Sequence, residues 1–132
     1  MAVLAALGVA ACQGHETSAP DYAEFRTDEA PVAVAARIAD NMAACWFAGA
    51  RPAFAGYSYA PELTSYSNRP RVLVVPRSDP AGLPKLVIEA SRAEPGTSVK
   101  LFGPLMAGPE AQAISRDVGR WVDGATGCGN GT

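Results

Sequence analysis

One histidine, His15, three cysteines, Cys12, Cys45 and Cys128, and a scatter of carboxylates are the side chains of this sequence with reactive chemistry. A histidine acts as general base only when a folded element holds it beside the proton it must move, and His15 lies in a polar stretch ahead of any periodic segment. Zinc requires closely spaced Cys and His pairs, and the three cysteines stand far apart. Glu62, Asp79, Glu89 and Asp117 are the acids from which a general acid and base could be drawn. Nothing in their spacing puts two in one cleft, so each is expected to be a solvated charge on a turn or a helix face. The phosphate loop, GxGxxG, GxSxG and HExxH are all absent. These observations predict no catalytic residue, no metal ligand and no cofactor, and leave a carboxylate-dependent hydrolase as the remaining enzymatic alternative.

Recognition chemistry is concentrated in Tyr57-Ser58-Tyr59-Ala60-Pro61-Glu62-Leu63-Thr64-Ser65-Tyr66-Ser67-Asn68-Arg69-Pro70. Tyrosine and arginine dominate interface hot spots, and a long connection held by a sheet can present them. Tyr57, Tyr59, Tyr66 and Arg69 are therefore the candidate partner-binding residues. The other reading of the same stretch is a strand edge followed by an ordinary polar loop. Trp46 and Trp121 fall at helical positions and are expected in the core.

The amino-terminal residues carry a different signal. Val3 to Ala11 is an uncharged apolar run of nine, too short to span a bilayer and of the length of a signal-peptide hydrophobic region. It ends in Val9-Ala10-Ala11-Cys12, which resembles the bacterial lipobox, in which small residues precede a cysteine that is lipidated and becomes the first residue of the mature chain. The resemblance covers only these twelve residues. It departs from the usual pattern in having Val9 where leucine is preferred, and in lacking a basic start before the apolar run. It implies lipidation of Cys12, export, and attachment to a membrane on the periplasmic side of the cell envelope; Gln13 after the cysteine resembles an outer-membrane address. Gln-Gly-His-Glu-Thr-Ser-Ala-Pro, residues 13–20, then suits a tether. The expected division is a signal peptide over 1–11, a flexible tether over 12–26 and one domain over 27–132. The alternative is that Val3 to Ala11 is an element of the domain and Cys12 a core thiol.

In an exported chain disulfides form and persist, so Cys45 and Cys128 are expected to pair once Cys12 is assigned to lipid. Two separate buried thiols are the alternative.

The elements that must position these residues follow from periodicity. Thr27-Asp28-Glu29-Ala30-Pro31 opens a helix that should run to about Cys45, with Val34, Ala35, Ile38, Met42 and Cys45 on one face and Arg37, Asp40 and Asn41 elsewhere. A first strand around Phe54, Tyr57 and Tyr59 should end at Pro61. Arg71 to Val75, Leu86 to Ala90 and Val99 to Phe102 read as further strands, separated by Ser78-Asp79-Pro80-Ala81-Gly82 and Glu94-Pro95-Gly96-Thr97. A last helix from Gly108-Pro109-Glu110 carries Ile114, Val118, Trp121, Val122 and Ala125. The order α-β-β-β-β-α predicts an α+β fold, an antiparallel meander of about four strands with two helices on one face.

Bulk properties bound the function. At 132 residues the chain makes one domain, and a net charge of -2 provides no field for nucleic acid. The acids gather early, six against two arginines from Gln13 to Cys45, while Trp46 to Met106 holds seven basic residues against four acids. The basic ones are scattered and read as solvated positions rather than an anion site. The sequence thus predicts an envelope lipoprotein with a non-catalytic binding or scaffolding domain, its partners a membrane and an envelope protein or cell-wall polymer. A carrier of an apolar ligand, with a cavity between helices and sheet, is the alternative.

Overall fold

The computed structural model describes residues 21–49, 51–64 and 67–129. The lipobox cysteine, Cys12, and the candidate Tyr66 lie outside the described residues.

The fold is α+β. A five-stranded antiparallel sheet is built from β1 (Tyr22–Thr27), β2 (Tyr57–Glu62), β3 (Arg71–Pro76), β4 (Leu86–Ala93) and β5 (Gly96–Phe102), in the spatial order β1-β5-β4-β3-β2. Two helices, α1 (Pro31–Met42) and α2 (Ala111–Val122), pack on one face. The last four strands form the expected meander. The fifth strand is β1, which lies in the segment expected to be tether over 12–26: Tyr22 to Thr27 pairs along its length with Phe102 to Thr97. Its pattern of exposed Tyr22, Glu24 and Arg26 against half-buried Ala23, Phe25 and Thr27 is the period-2 alternation of an edge strand.

The hydrophobic core lies between helices and sheet. Val34, Ile38 and Met42 of α1 and Ile114, Val118 and Trp121 of α2 meet Val72, Val74, Leu86, Ile88, Val99 and Leu101 of the central strands, each essentially removed from water. A fully buried aliphatic side chain contributes ~1.5–3 kcal/mol relative to an exposed one, so this layer dominates the favourable side of folding. Gly119 lets α2 approach β1: a Cβ there would lie 2.9 Å from the Phe25 ring.

The outer face of the sheet follows a different rule. Its registers place Glu24 beside Lys100, Lys100 beside Glu89, Glu89 beside Arg71 and Arg71 beside Glu62, a row of alternating charge across all five strands. Opposite charges directly across a ladder are favourable, and the row selects this register over a slipped one.

Local departures from the sequence reading have physical causes. After Met42 the first helix continues as a π-helical turn, Ala43–Phe47, which carries Cys45 and Trp46 into the core. Phe54 sits in a short 3₁₀ turn, Pro52–Phe54, rather than in a strand. Strand β2 runs through Pro61 to Glu62; β2 is an edge, where a residue without a backbone donor is tolerated. Asn41 is buried, not on the wet side of α1. Its Nδ2 donates to the Arg37 carbonyl at 2.8 Å and its Oδ1 accepts from the Gly127 amide at 2.7 Å.

Candidate functional site

Among the described residues a cleft of about 710 Å³ opens at the end of the sheet where α1 begins. Ala30, Pro31 and Val32 form one wall, Leu63 and Thr64 follow β2, Asn68 and Pro70 lead back into β3, and Arg92 projects from β4. Its position follows from chain direction. Strand β2 runs toward this end and β3 starts from it, which brings Leu63, Thr64, Asn68 and Pro70 beside the start of α1. The base of the turn is closed by Arg71 Nε donating to Glu62 Oε2 at 2.6 Å, and the Ala90 amide donates to the Pro70 carbonyl at 2.9 Å. Asn68 takes φ 55°, a left-handed conformation that asparagine tolerates better than most residues.

The cleft is apolar with a polar margin. Val32 is 52% exposed, and it stands with Pro31, Leu63 and Pro70 beside Thr64, Asn68 and the guanidinium of Arg92. Arg92 Nη1 lies 3.5 Å from Glu94 Oε1, but both side chains are largely in water and the pair contributes little. Apolar contact area, two hydrogen-bonding side chains and one cation are the equipment of a binding site. Among the cleft's described residues there is no cysteine, no histidine and no carboxylate.

The four candidate recognition residues are distributed differently. Tyr57 and Tyr59 lie on the core-facing side of β2, half-buried, and Tyr59 stacks on Phe47 with centroids 5.0 Å apart. They support the wall of the domain. Arg69 is exposed on the connection into β3. The recognition segment therefore contributes to the cleft through Leu63, Thr64, Asn68 and Pro70, residues whose types alone carried no signal.

The candidate carboxylates are also separated. Glu62 and Glu89 flank Arg71 on the outer face, and Asp79 sits in the β3–β4 turn. Asp117, expected on a wet helix face, is instead buried under α2. It accepts hydrogen bonds from Trp46 Nε1 at 2.9 Å, Arg51 Nη1 at 2.6 Å and Arg120 Nη2 at 3.2 Å. Burial by itself pushes this carboxyl upward, but the bonds from Trp46, Arg51 and Arg120 outweigh it and hold the group below the ordinary aspartate value. A carboxylate so engaged is a poor base. Its role is to tie the π-helical turn and the following Arg51 segment to α2. The sequence did hold a signal for it: Asp117 stands within the Ile114, Val118, Trp121 stripe, where every other residue is core.

Cys45 and Cys128 form a disulfide, with α-carbons 5.2 Å apart. The turn that carries Cys128 is held twice more, by the Asn41 contact to Gly127 and by Trp121 Nε1 donating to the Gly127 carbonyl at 2.8 Å. Among the described residues no cluster of His, Cys, Asp or Glu could hold a metal ion, and no helix is long and apolar enough to cross a membrane. Comparison with protein-family models, with curated proteins and with solved structures finds no match to this chain.

Proposed function

We propose that this chain is a lipid-anchored binding domain of the bacterial cell envelope, exported, attached through Cys12, and engaging an envelope protein or cell-wall polymer through the cleft at the start of α1. The observation that carries the binding reading is the cleft itself: apolar, open, walled by the β2–β3 connection, and furnished with Thr64, Asn68 and Arg92 for orientation. Export is supported by the Cys45–Cys128 disulfide, a bond that persists in oxidising compartments and is rare in the cytosol. The lipobox resemblance supplies the anchor.

A carrier of apolar ligands draws no support from the core. Val34, Ile38, Ile114, Val118 and Trp121 fill the space between helices and sheet that a ligand cavity would need.

Two experiments test the two halves. The intact chain should partition into the detergent phase, and Cys12→Ser should move it to the aqueous phase; the same partition for both rejects the anchor. Val32→Asp with Arg92→Ala should abolish recovery of a cross-linked envelope partner without altering the melting temperature, because both side chains line the cleft and are exposed. Retention of the partner by that double variant rejects the cleft as the binding site.

A further inference from the structure

Four large hydrophobic side chains are exposed among the described residues, and three of them share one end of the sheet. Tyr22, 52% exposed, opens β1, and its register partner Phe102, 41% exposed, closes β5. Leu83, 85% exposed, sits in the turn between β3 and β4. That turn reaches the same end, because Val87 of β4 pairs with Phe102 and the Leu105 amide donates to the Lys85 carbonyl at 2.9 Å. The fourth, Val32, lies at the opposite end, in the cleft.

The end that carries Tyr22, Leu83 and Phe102 is also the end at which the chain arrives from Cys12. Nine residues separate Cys12 from Tyr22, and even fully extended the ten steps between them reach ~35 Å, about the diameter of a domain of this size. A lipid on Cys12 therefore keeps Tyr22 within ~35 Å of the membrane surface. Beside Tyr22 a second groove, about 450 Å³, runs between β1, Met106 and the first turns of α2, with Arg116 at its margin. Charges of both signs stand around these tips, Arg77, Lys85 and Arg116 with Asp21, Asp79 and Glu110. Aromatic and aliphatic tips with mixed charge around them are the composition that settles at a bilayer interface.

Resting on the lipid-anchor reading, we propose that the Tyr22–Leu83–Phe102 end docks on the lipid surface, so that the domain stands with its sheet end against the bilayer and the Val32–Leu63 cleft turned outward. A lipid anchor at one residue fixes location without fixing orientation; a second contact supplies the orientation, and adds to the hold of the lipid. The cleft is then presented away from the membrane, where a partner can reach it.

Tryptophan fluorescence tests the orientation, because Trp46 and Trp121 are 1% and 0% exposed and give a constant buried background. The lipidated mature protein is placed on phosphatidylethanolamine/phosphatidylglycerol vesicles containing brominated acyl chains, as the Leu83→Trp variant and, separately, as Val32→Trp. Both sites are exposed, so neither change disturbs the core. Leu83→Trp should be blue-shifted and quenched on vesicles, and Val32→Trp should keep its solvent-like emission. Equal quenching of both, or none in either while the protein remains vesicle-bound, overturns the orientation and leaves the anchor standing. Failure of the wild-type chain to enter the detergent phase overturns the anchor, and the orientation with it.

Discussion

Asp117 shows how far a single residue can depart from its type. Acids on helices are ordinarily solvated, yet this one joins three donors under α2. Asp117→Ala leaves Trp46 Nε1 without its acceptor and strips two guanidinium groups of their carboxylate, and should cost ~2–4 kcal/mol in urea unfolding at neutral pH. The pH dependence has a definite sign. A carboxyl whose native value is depressed contributes stability that is present above the unfolded value of ~4 and lost as pH falls through the lower native one. Glu29 is also drawn down, by its hydrogen bond from Arg37, but it is exposed and adds little. Stability should therefore be flat above about pH 5 and decline below ~4, and Asp117→Asn should flatten that decline. An acid limb unchanged in Asp117→Asn would assign it to other groups. The tyrosines depart the other way: typed as recognition residues, Tyr57 and Tyr59 are half in the core. Tyr59→Ala should lower stability by ~1–3 kcal/mol, since it removes the ring stacked on Phe47. A melting temperature equal to wild type would return Tyr59 to the surface.

Among the elements, helices and central strands were legible and β1 was not. The helices announce themselves through apolar stripes at three- and four-residue spacing, and β3, β4 and β5 through β-branched runs bounded by turn residues. Tyr22 to Thr27 has one aromatic and one alanine facing inward, and gains its strand conformation from pairing with β5, whose sequence lies some seventy residues away. Two glycines mark where that strand must fit. At Gly96 a Cβ would lie 2.2 Å from the Thr27 carbonyl oxygen, and at Gly119 it would meet the Phe25 ring. Gly119→Ala should cost ~1–3 kcal/mol, because Phe25 must move out of a packed seam; retention of wild-type stability would mean the ring has room to yield. Element ends are also made tertiary here. Arg37 of α1 donates through Nε to the Trp121 carbonyl at 2.7 Å and through Nη2 to that of Val122 at 3.2 Å, so one helix caps the carboxyl end of the other.

At the scale of the whole molecule, the disulfide joins the end of α1's π-helical extension to the turn after α2, closing a loop of 83 residues. Cys45→Ser with Cys128→Ser should lower stability by ~2–5 kcal/mol, the range for native bridges in small secreted domains. The Asn41 and Trp121 bonds to Gly127 remain in that variant, so the fold should persist at room temperature, which circular dichroism and thermal melting of both forms will check. Thiol labelling of the denatured, unreduced wild type should find neither Cys45 nor Cys128 reactive.

What the sequence determined by itself was local or covalent in origin: helical stripes, turn chemistry, the α+β class, and the pairing of two cysteines once a third was set aside. Each of these depends on residues near one another in the chain or, for the cysteines, on the expectation that the chain folds where disulfides persist. The tertiary structure decided the rest. It placed β1 at the sheet edge, buried Asp117 and Asn41, turned Tyr57 and Tyr59 inward, and assembled the cleft from Val32, Leu63, Pro70 and Arg92. Those outcomes depend on which surfaces meet across long sequence separations, where the free energy of packing and pairing overrides the preference of the isolated residue.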